Sequence, residues 1–160
     1  MDATVAYFSA TGRNEQVARA IERELSSREV TTVTVFLKPK KEMGAVGGAI
    51  RSLLNRPVEL SEPVAPVRTE LLVLVGPVYA SSVSPPIAAY LRHLSPLEGR
   101  RVINVVCGFN THPDVAESIS RRLKALGCGR IVDRAIRLRD VDSPEKTAAL
   151  AAELVDRALG

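Results

Sequence analysis

One continuously apolar run, LLVLV at residues 71–75, constrains the fold more than any other feature of the chain. A strand with one face in water alternates apolar and polar residues, so five apolar residues in a row predict a strand covered on both faces. Parallel sheets sandwiched between helices offer such positions. The run therefore predicts the central strand of a parallel sheet.

Strand-like and helix-like segments alternate along the rest of the chain. Four further stretches rich in β-branched and apolar residues predict strands: 3–8, 30–37, 102–106 and 131–138. The last of them mixes charged and apolar residues, which is typical of an edge strand. Helices are predicted over 13–28, 85–94 and 111–126, and a final helix is predicted to start at Ser143-Pro144. This order predicts an α/β fold: a three-layer, doubly wound, five-stranded parallel sheet.

Residues 38–69 do not fit this alternation. The stretch begins with KPKKE, continues as a glycine-broken apolar segment and ends in a proline-containing linker. A short helix over 49–55 is predicted within it, and the whole stretch is interpreted as a variable insert before the third strand. The length of 160 residues suits one domain, so a single domain over 1–160 is expected.

Composition narrows the classes of function and the compartment. The two cysteines, Cys107 and Cys128, belong to no CxxC or His/Cys cluster, so no metal site is expected and a reducing cytoplasm fits best. The net charge of +4 comes from dispersed basic residues without an aromatic platform, which argues against nucleic acid as a partner. No apolar run reaches the ~20 residues of a membrane span, and the start MDAT lacks the basic region of a secretory signal.

Three loops of small and polar residues follow predicted strands at the same edge of the sheet. They are SATGRN (9–14), PVYASS (77–82) and CGFNTHP (107–113), after the first, third and fourth strands. An open parallel sheet binds ligands outside the carboxyl ends of its strands, where the strand order reverses. The three loops therefore predict one shared binding site.

The first loop has the residue types of an anion site. A helix N-terminus presents unpaired N–H groups and a partial positive charge. Ser9 and Thr11 add hydroxyls, Gly12 permits a tight turn, and Arg13 and Asn14 add a charge and an amide. A terminal phosphate fits this set, although the same residue types also serve as simple turn and cap residues. Neither GxGxxG nor GxxxxGK is present, so a dinucleotide fingerprint and a Walker loop are both excluded.

At these loops the chain resembles the flavodoxin-like FMN-binding proteins. Ser9, Thr11 and Gly12 match the family's phosphate-loop pattern, [ST]-x-T-G. The segment GPVYA at 76–80, followed by two prolines, is similar to the "PVYA…P" segment of small flavodoxin-family oxidoreductases. The segment CGFN at 107–110 falls where the family contacts the isoalloxazine ring. The resemblance implies the strand order 2-1-3-4-5, with FMN at the switch between the first and third strands.

The resemblance also implies a role for each matching position. The phosphate would lie against Ser9, Ala10, Thr11, Gly12, Arg13 and Asn14. One side of the flavin would be lined by Pro77, Val78, Tyr79 and Ala80, with Tyr79 as the ring contact. The pyrimidine edge would meet Cys107, Gly108, Phe109 and Asn110, with Phe109 as a second ring contact. Cys107 ends a buried strand, and its thiol is interpreted as a small core group rather than a nucleophile.

The sequence departs from the family in ways that keep two functions open. Arg13-Asn14 replaces the usual Asn-Thr, tryptophan is absent, and the chain is basic where electron-carrier flavodoxins are acidic. The expectation is an FMN-binding redox protein that passes electrons to a partner protein or to a small acceptor such as a quinone, with NAD(P)H as a transient donor. The alternative is a flavin-free flavodoxin-fold module that binds proteins. No catalytic side chain is expected, and both a monomer and a homodimer remain open.

Overall fold

The computed structural model describes residues 1–42 and 58–160. Its strands are β1 (Asp2–Tyr7), β2 (Thr31–Phe36), β3 (Leu71–Tyr79), β4 (Ser82–Val83), β5 (Arg101–Gly108) and β6 (Arg130–Arg137). Five of them are parallel and lie in the order β2-β1-β3-β5-β6, while β4 pairs antiparallel with the end of β3. Since β5 and β6 are the fourth and fifth parallel strands, the predicted order 2-1-3-4-5 is confirmed, as is the edge position of the last strand.

Helices cover both faces of the sheet. They are α1 (Arg13–Ser27), α2 (Pro85–His93), α3 (Pro113–Ala125) and α4 (Pro144–Leu159), with a 3-10 turn (Leu138–Val141) before α4. Apolar residues of α1 and α4 form one core cluster with the sheet, and those of α2 and α3 form the other. The three-layer arrangement is therefore the predicted one.

The run LLVLV is buried on both faces, as predicted. Leu71, Val73 and Val75 belong to the cluster under α1 and α4, whereas Leu72 and Leu74 belong to the cluster under α2 and α3. None of the five exposes more than 1% of its surface. Alternation of side chains along the strand divides one apolar run between two cores.

Two boundaries differ from the predicted ones. The third strand continues to Tyr79 and turns back into β4, so the prediction of a plain loop over 77–82 was wrong: Val78 pairs with Val83 and Tyr79 with Ser82. The helix predicted from residue 111 begins at Pro113, because proline suits the first helical position. The start of the final helix is confirmed, since the Ser143 hydroxyl accepts a hydrogen bond from the Lys146 N–H at 3.2 Å.

Two segments of the 38–69 insert, residues 38–40 and 59–61, pair with each other. Pro39 and Leu60 form an isolated antiparallel bridge. The Lys40 N–H donates to the Glu59 carbonyl at 2.8 Å, and the Ser61 N–H donates to the Lys38 carbonyl at 2.8 Å. The predicted short helix over 49–55 lies outside the described residues. Within the described part of the chain, no helix has both the length and the apolar character that crossing a bilayer requires.

A core substitution on α1 tests this packing. Ile21 is fully buried between α1 and the sheet. Ile21→Ala should lower the free energy of unfolding by about 2–5 kcal/mol, because the lost contacts leave a cavity that closes only in part. Arg23→Ala, on the exposed side of the same helix, is the matched control and should change it by less than about 0.5 kcal/mol. Denaturant titration measures both, and similar values for the two variants would contradict this packing.

Candidate functional site

The sheet register brings the three predicted loops to one edge. Tyr7 is opposite Val75, and the Phe8 N–H donates to the Val75 carbonyl at 3.1 Å, so the first loop leaves β1 beside β3. Pro77 is opposite Cys107, so the second and third loops begin on neighbouring strands. The structure thus places all three at the carboxyl edge, around the point where the chain order reverses.

The first turn of α1 presents backbone donors at this edge. Gly12 stands before the helix, and no side chain caps the turn. The Ser9 hydroxyl accepts a hydrogen bond from the Gly12 N–H at 2.9 Å, which closes the loop on itself. Among the described residues, none accepts a hydrogen bond from the N–H groups of Arg13, Asn14 or Glu15. Three amide donors at the positive end of a helix form a site for an anion.

Gly12 makes this loop geometrically possible. Its φ is +86°, in the left-handed region where other residues are strained. A Cβ added there would meet no atom within 4 Å, so backbone conformation and not packing requires the glycine. The surroundings of Gly12 are open, which leaves room for a ligand against the backbone.

Asn14 provides a buried acceptor beside these donors. Only 4% of the residue is exposed, and its Oδ1 has no hydrogen-bond partner. A buried polar atom without a partner loses its hydration and gains nothing in return. Its position in the first turn of α1 therefore points to a ligand that offers an O–H or N–H group as well as an anion.

Arg13, the first residue of α1, is exposed, and its guanidinium charge lies near the 3-10 turn and α4. The Lys146 ammonium hydrogen-bonds the Asp142 carboxylate at 2.8 Å and lowers the pKa of that carboxyl, and the charge of Arg13 lowers it further. Lys146 already neutralises Asp142, and Arg13 forms no ion pair with a described residue. The Arg13 charge thus remains available to an anionic ligand.

The second loop is a tight hairpin with an unusual turn. Its two central residues, Ala80 and Ser81, both have positive φ, +48° and +57°. Two-residue hairpin turns favour this geometry, but they normally use Asn-Gly or similar pairs that tolerate it. Both residues are exposed at the carboxyl edge, where the chain accepts strain of order 1 kcal/mol per residue.

Tyr79 packs inward at the base of this hairpin. Its ring meets the Phe8 ring edge to face, with centroids 6.4 Å apart and planes at 82°. Its hydroxyl is buried without a partner, and burial raises the pKa of the phenol. The residue is half-buried and keeps part of its surface at the edge, so its role as a ring contact remains a prediction.

The third loop combines a buried strand end with an exposed ring. Cys107 is 1% exposed and lies in the cluster under α1 and α4, which confirms its thiol as a core group. Gly108 follows, and a Cβ there would lie 2.9 Å from the Asn110 carbonyl oxygen, so the tight turn excludes larger residues. Phe109 is 89% exposed, which makes its ring available to a ligand or a partner. Asn110 is also exposed.

Aromatic residues that support the site were missed from the sequence. The Phe36 ring at the end of β2 lies 5.3 Å from the Tyr7 ring and 6.3 Å from the Phe8 ring, centroid to centroid. Together with the Phe8–Tyr79 contact, these rings form a chain across the ends of three neighbouring strands. The placement of Tyr7, Phe8 and Phe36 at the ends of predicted strands was the available signal. In the part of the chain that the structure describes, no group of acidic, histidine or cysteine residues could hold a metal ion.

Comparison with solved structures identifies the fold. No protein-family model matches the sequence, and comparison with curated proteins finds no relative. A Bacteroides uniformis protein that carries the provisional name of flavoprotein aligns with a TM-score of 0.72 and 15% identity, over 93% of this chain and 96% of its own. The flavodoxin of Streptococcus pneumoniae TIGR4 aligns with a TM-score of 0.63 and 14% identity, over 98% and 99%. An NAD(P)H:quinone oxidoreductase from Methanothermobacter marburgensis aligns with a TM-score of 0.61 and 12% identity, over 96% and 93%.

These structures define the class of protein. The chain has the flavodoxin-like fold, in agreement with the resemblance seen in its loops. The matching chains are covered along almost their whole length, so the shared architecture is complete and not confined to one βαβ unit.

Replacing one strained turn residue should stabilise the protein. Ser81→Gly removes the conflict between a side chain and a φ of +57° and should raise the free energy of unfolding by about 0.5–1 kcal/mol. Ser82→Gly is the matched control: it lies in β4, where glycine should lower that free energy by a similar amount. Thermal or denaturant unfolding measures both, and a loss of stability in Ser81→Gly would contradict the left-handed turn.

The two thiols should differ in reactivity. Burial raises the pKa of Cys107 to about 12, so at pH 8 the thiol stays protonated and enclosed. Burial also raises the pKa of Cys128, but that residue is partly exposed. Iodoacetamide should therefore label Cys128 in the native protein and Cys107 only after denaturation, as read by mass spectrometry. Native labelling should vanish in Cys128→Ser, and rapid labelling of Cys107 would contradict its burial.

Proposed function

We propose that the protein binds FMN at the carboxyl edge and acts as a flavodoxin-like redox protein, passing electrons to a protein or to a small acceptor such as a quinone. The observation that carries this proposal is the first turn of α1. There, unpaired amide donors lie beside a buried, unpaired acceptor, the Asn14 Oδ1. The turn lies at the switch point between β1 and β3, where this fold binds its ligands.

The residues present fit FMN, because FMN offers both kinds of group that the turn lacks. A terminal phosphate accepts hydrogen bonds from helix amides and hydroxyls, and it pairs with a cation. The hydroxyls of the ribityl chain can donate to Asn14. The phosphate would be held by Ser9, Ala10, Thr11, Gly12, Arg13 and Asn14.

The other two loops would hold the ring system. The exposed ring of Phe109 and the half-buried ring of Tyr79 provide apolar surfaces for a planar ligand. Two groups of residues would line it: Pro77, Val78, Tyr79 and Ala80 on one side, and Cys107, Gly108, Phe109 and Asn110 at the pyrimidine edge. Cys107 would take part through its backbone, since its thiol faces the core.

FMN, when bound, supplies the reversible uptake of electrons, so no side chain of this chain has to act as an acid or a base. The protein's part is to bind the phosphate, orient the ring and exclude water beneath it. The sheet under the three loops is apolar and closely packed, which suits the last of these tasks.

The names of the structural neighbours support a redox role and leave the acceptor open. They include flavodoxins and an NAD(P)H:quinone oxidoreductase. We extend the proposal to a cytoplasmic protein whose residues 1–160 form one domain, with 38–69 as a variable insert. The pairing of residues 38–40 with 59–61 supports that division. NAD(P)H would then bind only transiently as a donor.

An FMN titration of the purified apo-protein tests the proposal. Saturable quenching of flavin fluorescence at one FMN per chain is expected, and the binding should be lost in Gly12→Val and in the double variant with Thr11→Ala. Gly99→Val is a matched control, because Gly99 also has a positive φ, +69°, and no atom within 4 Å of an added Cβ. The two glycine variants both place a side chain at a positive φ, but Gly99 precedes β5 at the opposite edge of the sheet.

The outcomes separate the two functions. Binding that survives in Gly99→Val and fails in Gly12→Val supports the site, and turnover with NAD(P)H and a quinone then distinguishes a small acceptor from a protein acceptor. A folded protein that binds no FMN at high concentration would overturn the redox proposal. The flavin-free interaction module would then be the working function.

A further inference from the structure

The edge strand β2 has outward-facing backbone groups, most of which no described residue pairs. The Thr31 N–H donates to the Met1 carbonyl at 3.3 Å, and the Leu37 N–H donates to the Tyr7 carbonyl at 2.8 Å. The backbone N–H and C=O groups of the odd-numbered residues of this strand therefore point toward β1. Because the direction of the backbone groups alternates along a strand, Thr32, Thr34 and Phe36 direct their N–H and C=O groups away from the sheet. Of these groups the Phe36 carbonyl accepts a hydrogen bond from the Lys38 N–H at 3.0 Å, and no described residue pairs the others.

Nothing in the composition of β2 protects this edge. Its sequence, TTVTVF, contains no charged residue, no proline and no glycine. Val33 is 56% exposed and Phe36 is 46% exposed. Natural edge strands are usually blunted by charges, prolines or bulges. The opposite edge, β6, follows that rule, since RIVDRAIR carries three arginines and an aspartate.

We propose that β2 pairs antiparallel with β2 of a second copy of this chain, about a two-fold axis at Thr34. A two-fold axis perpendicular to the sheet keeps each side chain on its own face, so only residues of equal parity can lie opposite each other. With Thr34 on the axis, the outward-facing residues form the hydrogen-bonded pairs: Thr34 with its own copy, and Thr32 with the partner subunit's Phe36, whose N–H donates to the Thr32 carbonyl. The two five-stranded sheets become one continuous sheet.

This register also matches the side chains. Val33 lies opposite the partner subunit's Val35, in the closer, non-hydrogen-bonded kind of pair. Val35 packs on the cluster under α2 and α3, and Val33 lies on the same face of the sheet because side chains alternate along a strand. The Val33–Val35 contact occurs twice, once on each side of the axis, so two apolar pairs form on that face. No like charges meet anywhere along the strand. An apolar groove of about 240 Å³ borders Val33 and Val35, which extends the surface that a second copy would cover.

The pairing should stop at a dimer. A two-fold contact uses the same surface on both copies and leaves no further β2 edge free. The remaining edges are both β6, whose charges oppose addition of another sheet. The proposal is independent of FMN, because it uses only the β2 edge.

Analytical ultracentrifugation of the full chain tests the dimer. The wild type should sediment as a dimer, and Val33→Lys should sediment as a monomer at the same concentration, because pairing would bury an ammonium group against Val35. Ala148→Lys is the matched control, with the same added charge at an exposed position of α4, and it should remain dimeric. Circular dichroism confirms that each variant is folded. A monomeric wild type, higher oligomers, or a Val33→Lys dimer would each overturn the proposal.

Cross-linking tests the register in the Cys128→Ser background. Hydrogen-bonded antiparallel neighbours have Cα atoms about 5.5 Å apart, within the range of a disulfide. Thr34→Cys should therefore form an intermolecular disulfide under mild oxidation, whereas Val33→Cys should form far less. Thr34 donates a 2.6 Å hydrogen bond to Glu22, so the unfolding of Thr34→Cys is measured alongside. The ultracentrifugation test does not depend on this variant. Preferential cross-linking through Val33→Cys in the folded protein would overturn this register.

Discussion

The burial of β3 on both faces is the constraint on which the rest of the structure depends. Its alternating side chains enter two separate cores, so helices must cover both sides of the sheet. A backbone buried in this way must also have all its hydrogen bonds paired, which requires a strand on each side, β1 and β5. That pairing carries the loops after β1 and β5 to the end of β3. The candidate site is thus a consequence of how the central strand is buried.

Departures from local rules gather at the carboxyl edge. Buried side-chain atoms without partners in the described residues include Asn14 Oδ1, Tyr79 Oη and Ser84 Oγ, all near the ends of β1 and β3. The left-handed pair of residues in the hairpin belongs to the same edge. Away from this edge, Asn104 on β5 donates to Asp133 at 2.9 Å, and the Ser120 hydroxyl also donates to Asp133, but the Asn104 Oδ1 has no partner among the described residues. This concentration of unpaired groups and strain at one edge supports the proposed ligand site.

Local sequence patterns predicted most of the fold because they report burial directly. Runs of apolar and β-branched residues identified the strands, the 3.6-residue period identified the helices, and Ser143 and Pro85 marked helix starts. The hairpin after β3 was missed, because Ala80-Ser81 lacks the Asn-Gly pattern that announces such turns. The contact of Tyr79 with Phe8 was also missed. Those residues are far apart in the chain, and no local period reports a contact between the ends of two strands.

The sequence by itself determined the alternation of elements, the burial of the central strand and the residue types of the three loops, since each of these depends on neighbours a few positions away. Only the tertiary structure decided which side chains meet at the carboxyl edge and that Asn14 is left with an unpaired oxygen. These features depend on strand order and register. They arise from contacts between segments far apart in the chain, whose choice is governed by the burial of the whole sheet and not by any local pattern.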